Sequence, residues 1–421
     1  MDDVRGDADV AGTTGVTAPP PPFRAPSPRS SAESAPVGSR LRVLVLGVGW
    51  DRPGGLNRYV QDLHRALSGR GGARPGSRSA VRTVVLGPAE DAPHDVTEAA
   101  ADTRPLPVRL RSFDRTARHW GADCDVVDVH FAYLAYLPVV VGALRRKPLV
   151  VHFHGPWAGE SQEAGERSGL ALRVKRSLER AVYTRAHRLV VLSEAFAELL
   201  VREYGVDPAR VSVVAPGVDL TAFTPGREAA RRRLGLEAGR RVVFAARRLV
   251  PRVGLDVLVE AWARLPRRPD DLLLLAGEGP ELDALTDLVR SLGLEDSVRL
   301  LGRIGEAELV DHFRAADLSV MPSRSLEGFG LSAVESLACG TPVVVTDVGG
   351  LPSVVRGLDA SLVVAPGDAD ALAARLSSAL AGDVPDADAC RRHAEGFSWR
   401  RAADHHERIY AEAFQAATGT R

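Results

Sequence analysis

LSVMPSRSLEGFGLSAVESLACGTPVVVTD, residues 318–347, decides how the chain is read. Its ends, LSVMPS (318–323) and TPVVVTD (341–347), are short runs of apolar residues without polar alternation, as expected of strands buried on both faces of a parallel sheet. Between them, residues 329–338 carry a helical pattern opened by Gly328-Phe329-Gly330 and closed at Gly340. Strand, glycine loop, helix, turn and strand make one βαβ unit. Ligands of such units gather where the strand ends and the helix begins.

The same punctuation extends in both directions. Downstream of residue 225, strands are expected at RVVFAAR (241–247), LLLLAG (272–277), SVRLLG (297–302) and SLVVAP (361–366), with helices at 255–264, 280–291, 306–315 and 369–380. Upstream, LRVLVLG (41–47), RTVVLG (82–87), DVVDVHF (125–131), PLVVHFHG (148–155), HRLVVLS (187–193) and RVSVVAPG (210–217) form a second set, with helices at 57–67 and 173–186. The fold class is therefore α/β, with two Rossmann-like βαβ domains facing each other across a cleft, residues 41–224 and 225–398. Residues 1–40, rich in Ala, Pro, Ser and Gly, read as a disordered tail. A last helix near 399–415 lies beyond the second sheet and is expected to pack back on the first domain. The apolar stretch 132–144 falls short of the ~18 residues that span a bilayer and reads as a core helix.

Composition sets outer limits. The chain has 421 residues, and 54 basic side chains balance 54 acidic ones. Zero net charge argues against a nucleic-acid partner, which needs a basic footprint. The hydrophobic fraction of 45% and charged fraction of 26% suit a soluble globular protein with a sizeable core. Cys124, Cys339 and Cys390 form no C-x-x-C pair, so a reducing, cytoplasmic setting is expected, and no signal peptide is expected at the N-terminus. Lysine occurs only at Lys147 and Lys175.

Several motifs fail on inspection. Gly47-Val48-Gly49 and Gly277-Glu278-Gly279 both follow strands, but Arg52 and Leu282 break the dinucleotide pattern G-x-G-x-x-G. Asp123-Cys124-Asp125 matches a metal-binding D-x-D, yet the same spacing recurs at Asp7/Asp9, Asp368/Asp370 and Asp386/Asp388. His130, His152 and His154 approach one sheet edge, but no carboxylate or cysteine joins them at a ligand spacing. No metal and no cofactor are expected, and His152 is expected to be a packed histidine.

The stretch 327–335 carries chemistry instead. The N–H groups of Phe329, Gly330 and Leu331 open a helix without intrahelical partners and form an anion site. Glu327 stands at its mouth. Glu335 returns to the same face about two turns deeper. An anion site with two carboxylates able to accept paired hydroxyls suits a phosphorylated sugar or a nucleotide sugar. Gly54 and Gly55, between the first strand and its helix, expose backbone amides to a phosphate across the cleft.

SLEGFGLSAVESLACGTPVVVTDVGGLPSVV (325–355), LLLAGEGPEL (273–282), HFRAADLSVMPS (312–323), VVAPGVDLTAF (213–223) and GGLNRYVQDL (54–63) together resemble the glycosyl transferases group 1, or glycosyltransferase family 4, with the GT-B fold, across residues 41–415. The resemblance implies a metal-independent, retaining enzyme in which the second domain binds a nucleotide-sugar donor and the first faces the acceptor. It places Glu335 at the ribose hydroxyls, Glu327 at the donor sugar, the amides that follow at sugar hydroxyls and phosphate, and His154 beside sugar and acceptor. The family pattern G-R-L-x-x-x-K-G falls on Arg247 to Gly254, so Arg248 takes the arginine position and Val253 the lysine position. With no lysine in the second domain, compensation of the diphosphate falls to Arg248, joined by Arg247 or Arg252.

UDP-glucose or UDP-N-acetylglucosamine is the expected donor, and a glycan, lipid-linked sugar or small molecule the acceptor. Same-face substitution is expected, the departing phosphate taking the acceptor proton. A related epimerase or phosphorylase, and a binding protein without turnover, are the alternatives. The basic helix at 173–188 reads as a solvated arginine face, with peripheral contact to a membrane as its other reading.

Overall fold

The computed structural model describes residues 40–51, 54–69, 79–163, 168–237 and 239–419, without the side chains of Glu160, Gln162 and Glu163. The expected tail, apart from Arg40, lies outside the described residues.

Seven parallel strands form the first sheet: β1 (Leu41–Gly47), β2 (Ser79–Val85), β3 (Val96–Glu98), β4 (Val126–Val129), β5 (Leu149–Phe153), β6 (Arg188–Val191) and β7 (Val211–Val213). Their order is β3-β2-β1-β4-β5-β6-β7. Six parallel strands form the second: β8 (Val242–Ala246), β9 (Leu272–Ala276), β10 (Val298–Gly302), β11 (Leu318–Met321), β12 (Val343–Thr346) and β13 (Val363–Val364), in the order β10-β9-β8-β11-β12-β13. The central strands are Val- and Leu-rich because helices cover both faces; β4, β5, β9, β11 and β12 are buried at every residue. Each sheet reverses its order once, between β1 and β4 and between β8 and β11. Ligand crevices open outside the strand ends at such switch points.

The two crossings between the halves run side by side. Val218 N–H donates to the Phe397 carbonyl at 3.1 Å. A Cβ on Gly217 would lie 2.1 Å from the Trp399 nitrogen, so only glycine permits the contact. The terminal helix Trp399–Thr418 then packs on the first helix, Gly55–Leu67, and on β4 to β6.

The stretch 132–144 is not one core helix. It is a helix over Ala132–Tyr136, a wide π-type turn over Leu137–Val141 and a 3₁₀ turn over Ala143–Arg146. Pro138 lacks the N–H that a regular turn needs, and Gly142 N–H closes the wide turn on the Leu137 carbonyl at 2.7 Å. Leu137 and Val141 are left exposed. Strand β3 and the helices Leu106–Gly121, Glu194–Tyr204 and Ala387–Ala394 complete the architecture beyond the sequence reading.

Candidate active site

Strand β11 delivers the chain to Ser323, and the loop that follows is held by glycines. Gly350 N–H donates to the Glu327 carbonyl at 2.9 Å. A Cβ on Gly349 would come within 1.9 Å of that oxygen, and one on Gly350 within 2.4 Å of the Gly328 carbonyl. The pair Gly349-Gly350 thus cradles the backbone that carries Glu327. Leu326 has φ 48, the one positive value among described non-glycine residues. Gly330 (φ 99) caps the helix Leu331–Ala338, whose second turn holds Glu335. Ser336, on the same helix, fastens it to β11 through Ser319 at 2.8 Å.

The Glu327 carboxylate meets the Arg247 guanidinium through Nη2, and Ser323 Oγ lies 3.3 Å from the same oxygen. Arg247 follows the end of β8, so this trio sits at the β8/β11 switch point. Arg248 beside it is exposed. Arg252 Nη1 donates to the Leu326 carbonyl at 2.9 Å, bracing the loop. Val253 is buried in the apolar core.

Glu335 is buried, and burial raises its pKa despite the opposing Arg58. Arg58 Nη1 stands 3.3 Å from Glu335 Oε1, while Nη2 bonds Glu306 Oε1 at 2.5 Å. Burial works against the Arg58 charge, but Glu335 and Glu306 outweigh it and hold the pKa above the ordinary arginine value. Arg58 belongs to the first helix, one turn beyond Gly54 and Gly55. Both glycines are exposed at the helix start, and a Cβ on Gly55 would lie 4.0 Å from Leu331 Cδ1. The two helix N-termini therefore face each other across the cleft. Arg58, Asp62, Asp219, Phe223, Glu306 and Glu335 enclose a cavity of about 30 Å³, room for roughly one or two waters.

The N-terminal half meets the loop elsewhere too. A Cβ on Gly328 would lie 3.0 Å from the Phe196 ring, and one on Gly159 3.9 Å from Leu326 Cδ1. Behind that contact lies a buried polar chain. His154, half-buried, places Nε2 3.2 Å from His130 Nδ1. His130 stacks on His152 at 4.0 Å, and His152 on His406 at 5.1 Å. Asp128, the fully buried carboxylate that sequence spacing did not connect to these rings, lies 3.1 Å from His152 Nε2 and accepts from Tyr410 at 2.6 Å. Burial, then the neighbouring His152, pushes His130 down to about 4; burial likewise pushes His406 down to about 3 and His154 well below the usual range. Ligating atoms of His130, His152 and His154 lie within 4.8 Å of one another. The rings also stack on one another, His130 on His152 and His152 on His154. His152 is thus a packed histidine.

Asp125 belongs to the other end of the sheet. It precedes β4 and binds Arg42 at 3.1 Å, beside the start of β1. The basic helix spans Gly169–Arg185. Several of its cations serve the fold: Lys175 lies 4.7 Å from the Trp157 ring centroid, Arg176 pairs with Glu203 at 3.2 Å, and Arg185 donates to backbone carbonyls. Among the described residues no helix is long and apolar enough to cross a membrane.

Two Rossmann-like domains with a glutamate-lined helix start on one side and a glycine-led helix start on the other define a GT-B glycosyltransferase. Comparison with known proteins gives the family. Residues 53–222 match Glycosyltransferase Family 4 and residues 226–396 match Glycosyl transferases group 1. The chain belongs to this family of enzymes. It is 36% identical to a D-inositol 3-phosphate glycosyltransferase of Gordonia bronchialis, over 86% of this chain and 85% of that one. The protein of the same name from Rhodococcus jostii is also 36% identical, over 77% and 73%. Among solved structures, sucrose-phosphate synthase from Thermosynechococcus elongatus superposes with a TM-score of 0.73 at 24% identity, covering 90% of this chain and all of that one. Anabaena HepE in complex with UDP and glucose gives 0.70 at 20%, covering 88% and 99%. These two likenesses establish the fold.

Sequence reasoning singled out Glu327, Glu335, the amides of Phe329 to Leu331, and Gly54 and Gly55, and the structure brings them to one cleft. It did not find Arg58 or Glu306. Their one signal was position: Arg58 follows the glycine pair by one turn, and Glu306 opens a helix after β10.

Proposed function

We propose that this glycosyltransferase moves a sugar from a nucleotide-diphosphate donor to an acceptor hydroxyl with retention of anomeric configuration. The observation that carries the proposal is the facing pair of helix starts, with Glu327 at the mouth and Glu335 buried behind it. In this reading Glu335 receives the ribose hydroxyls and Glu327 the donor sugar. The amides of Phe329, Gly330 and Leu331, with those of Gly54 and Gly55, hold phosphate and sugar oxygens. Arg248 lies at the rim as a cation for the leaving phosphate, and Arg252 supports the donor loop through Leu326.

Arg58 occupies the place the ribose needs. In this reading donor entry exchanges the Arg58–Glu335 pair for hydroxyls. Closure over the donor then limits hydrolysis. The departing phosphate takes the acceptor proton on the face it leaves. Stabilising that phosphate is the main catalytic task. His154, kept neutral by burial, offers a hydrogen bond at the acceptor side. No metal or other cofactor takes part in this scheme.

UDP-glucose or UDP-N-acetylglucosamine is the proposed donor. The curated relatives' name supports a phosphorylated cyclitol among small-molecule acceptors. The site of action is the cytoplasm. Incubation with each labelled UDP-sugar and a panel of cyclitol phosphates, glycans and lipid-linked sugars tests the proposal. A new glycoside with the donor's anomeric configuration is expected. Inversion, or a free sugar altered without transfer, would refute it.

A further inference from the structure

We infer that Arg247 is the inner phosphate ligand of the donor site, replacing the lysine that the resembled pattern places at position 253. The inference rests on the transferase reading above. Its support is local geometry. Arg247 leaves the end of β8 at the switch point, where the crevice of the second sheet opens. Its side chain is only 12% exposed. One nitrogen, Nη2, is engaged by Glu327 and Ser323. Nε is buried and has no hydrogen-bond partner. An arginine presents five N–H donors in a fixed fork; Nη2 meets the Glu327 carboxylate, while Nε on the same edge is left to donate to an incoming phosphate oxygen. An unpaired buried donor is costly, and an incoming anion relieves that cost.

The neighbouring cations are placed differently. Arg248 is exposed, Arg252 donates to the Leu326 carbonyl, and Arg58 bridges Glu335 and Glu306. Position 253 is a buried valine, so no cation reaches the mouth from there. Position 247 is a glycine in the resembled pattern and an arginine here. The two departures fall six residues apart in one segment, one removing a cation and the other adding one. A guanidinium joined to Glu327 also couples the two ends of the donor: the phosphate that leaves and the sugar that is transferred.

The test compares the diphosphate with the nucleoside that lacks it. Titration calorimetry gives Kd for UDP and uridine, and for GDP and guanosine, with wild type, Arg247→Gln, Arg247→Lys and the double variant Arg247→Gly/Val253→Lys. Wild type should prefer the diphosphate. Arg247→Gln should cut that preference about 10- to 100-fold, the range for losing a hydrogen bond to a charged group, and leave the nucleoside Kd unchanged. Arg247→Lys should retain part of it. The double variant should recover most of it, and it decides the matter if Arg247→Gln does not fold. A folded Arg247→Gln with full preference and reduced turnover would make Arg247 a positioning residue for Glu327 alone and overturn the inference. A folded double variant without the preference would also overturn it. Wild type that binds no nucleoside diphosphate would instead refute the transferase reading on which the inference stands.

Discussion

The two sides of the cleft are built by different means. The C-terminal side is shaped by backbone: Gly349 and Gly350 press against the carbonyls of Glu327 and Gly328, and Gly330 starts a helix. The N-terminal side is shaped by side chains, with Asp128, Tyr410 and four stacked histidines. A backbone cradle tolerates no added atom but is indifferent to pH. A buried histidine stack tolerates small changes of shape but answers to protons. The proposed ligands fit that contrast, fixed anions on one side and a neutral hydroxyl on the other.

The contrast can be broken at its strongest point first. Glu327→Ala should lower kcat about 100-fold, since a misplaced reacting group costs that much, with a smaller change in donor Kd. Unchanged steady-state kinetics would remove Glu327 from the mouth. Gly349→Ala should destabilise by about 2–4 kcal/mol and reduce turnover, because φ 55 and a 1.9 Å approach leave no space for a methyl group. Gly55→Ala, with only Leu331 at 4.0 Å, should leave the melting temperature nearly unchanged. Equal melting curves for the two variants would erase the distinction between the halves.

Arg58→Ala should cost about 2 kcal/mol in chemical denaturation, because it strands the buried Glu335 carboxylate. Stability should also fall as pH drops from about 6.5 to about 4. His130, His154 and His406 have folded pKa values below the unfolded value, so the unfolded chain takes up protons first in that window. Asp128 does not offset this, because its depressed pKa matters only below the unfolded carboxylate value. Melting temperatures flat across pH 4–6.5 would mean that the stack protonates without strain. The smallest effect expected is that of EDTA on transfer, which should be nil, since Asp125 is bound by Arg42 at the sheet end away from the cleft. Loss of activity restored by Mn²⁺ would contradict that placement.

Much of this was legible in the sequence. Uninterrupted Val and Leu runs mark buried parallel strands, and the glycine-opened helix with Glu327 and Glu335 marks one side of the cleft. Strand β3, only three residues long at a sheet edge, is too short to carry a pattern. Pro138 and Gly142 break the 132–144 stretch into turns that hydrophobicity alone does not show. The Asp128–histidine chain joins β4, β5 and the terminal helix, and Arg58 crosses between domains. Contacts between residues far apart in the chain leave no local periodicity. Arg247 was visible only as one of three neighbouring arginines. The structure separates them by what each guanidinium touches.

In the proposed function the buried Glu335 receives the ribose of a nucleotide donor. Calorimetric titration of UDP into wild type and Glu335→Ala tests it most directly, with circular dichroism confirming that the variant is folded. Binding to wild type is expected in the micromolar range, weakened about tenfold or more in the variant, as for loss of hydrogen bonds to a charged group. An equal Kd for the two proteins would contradict it.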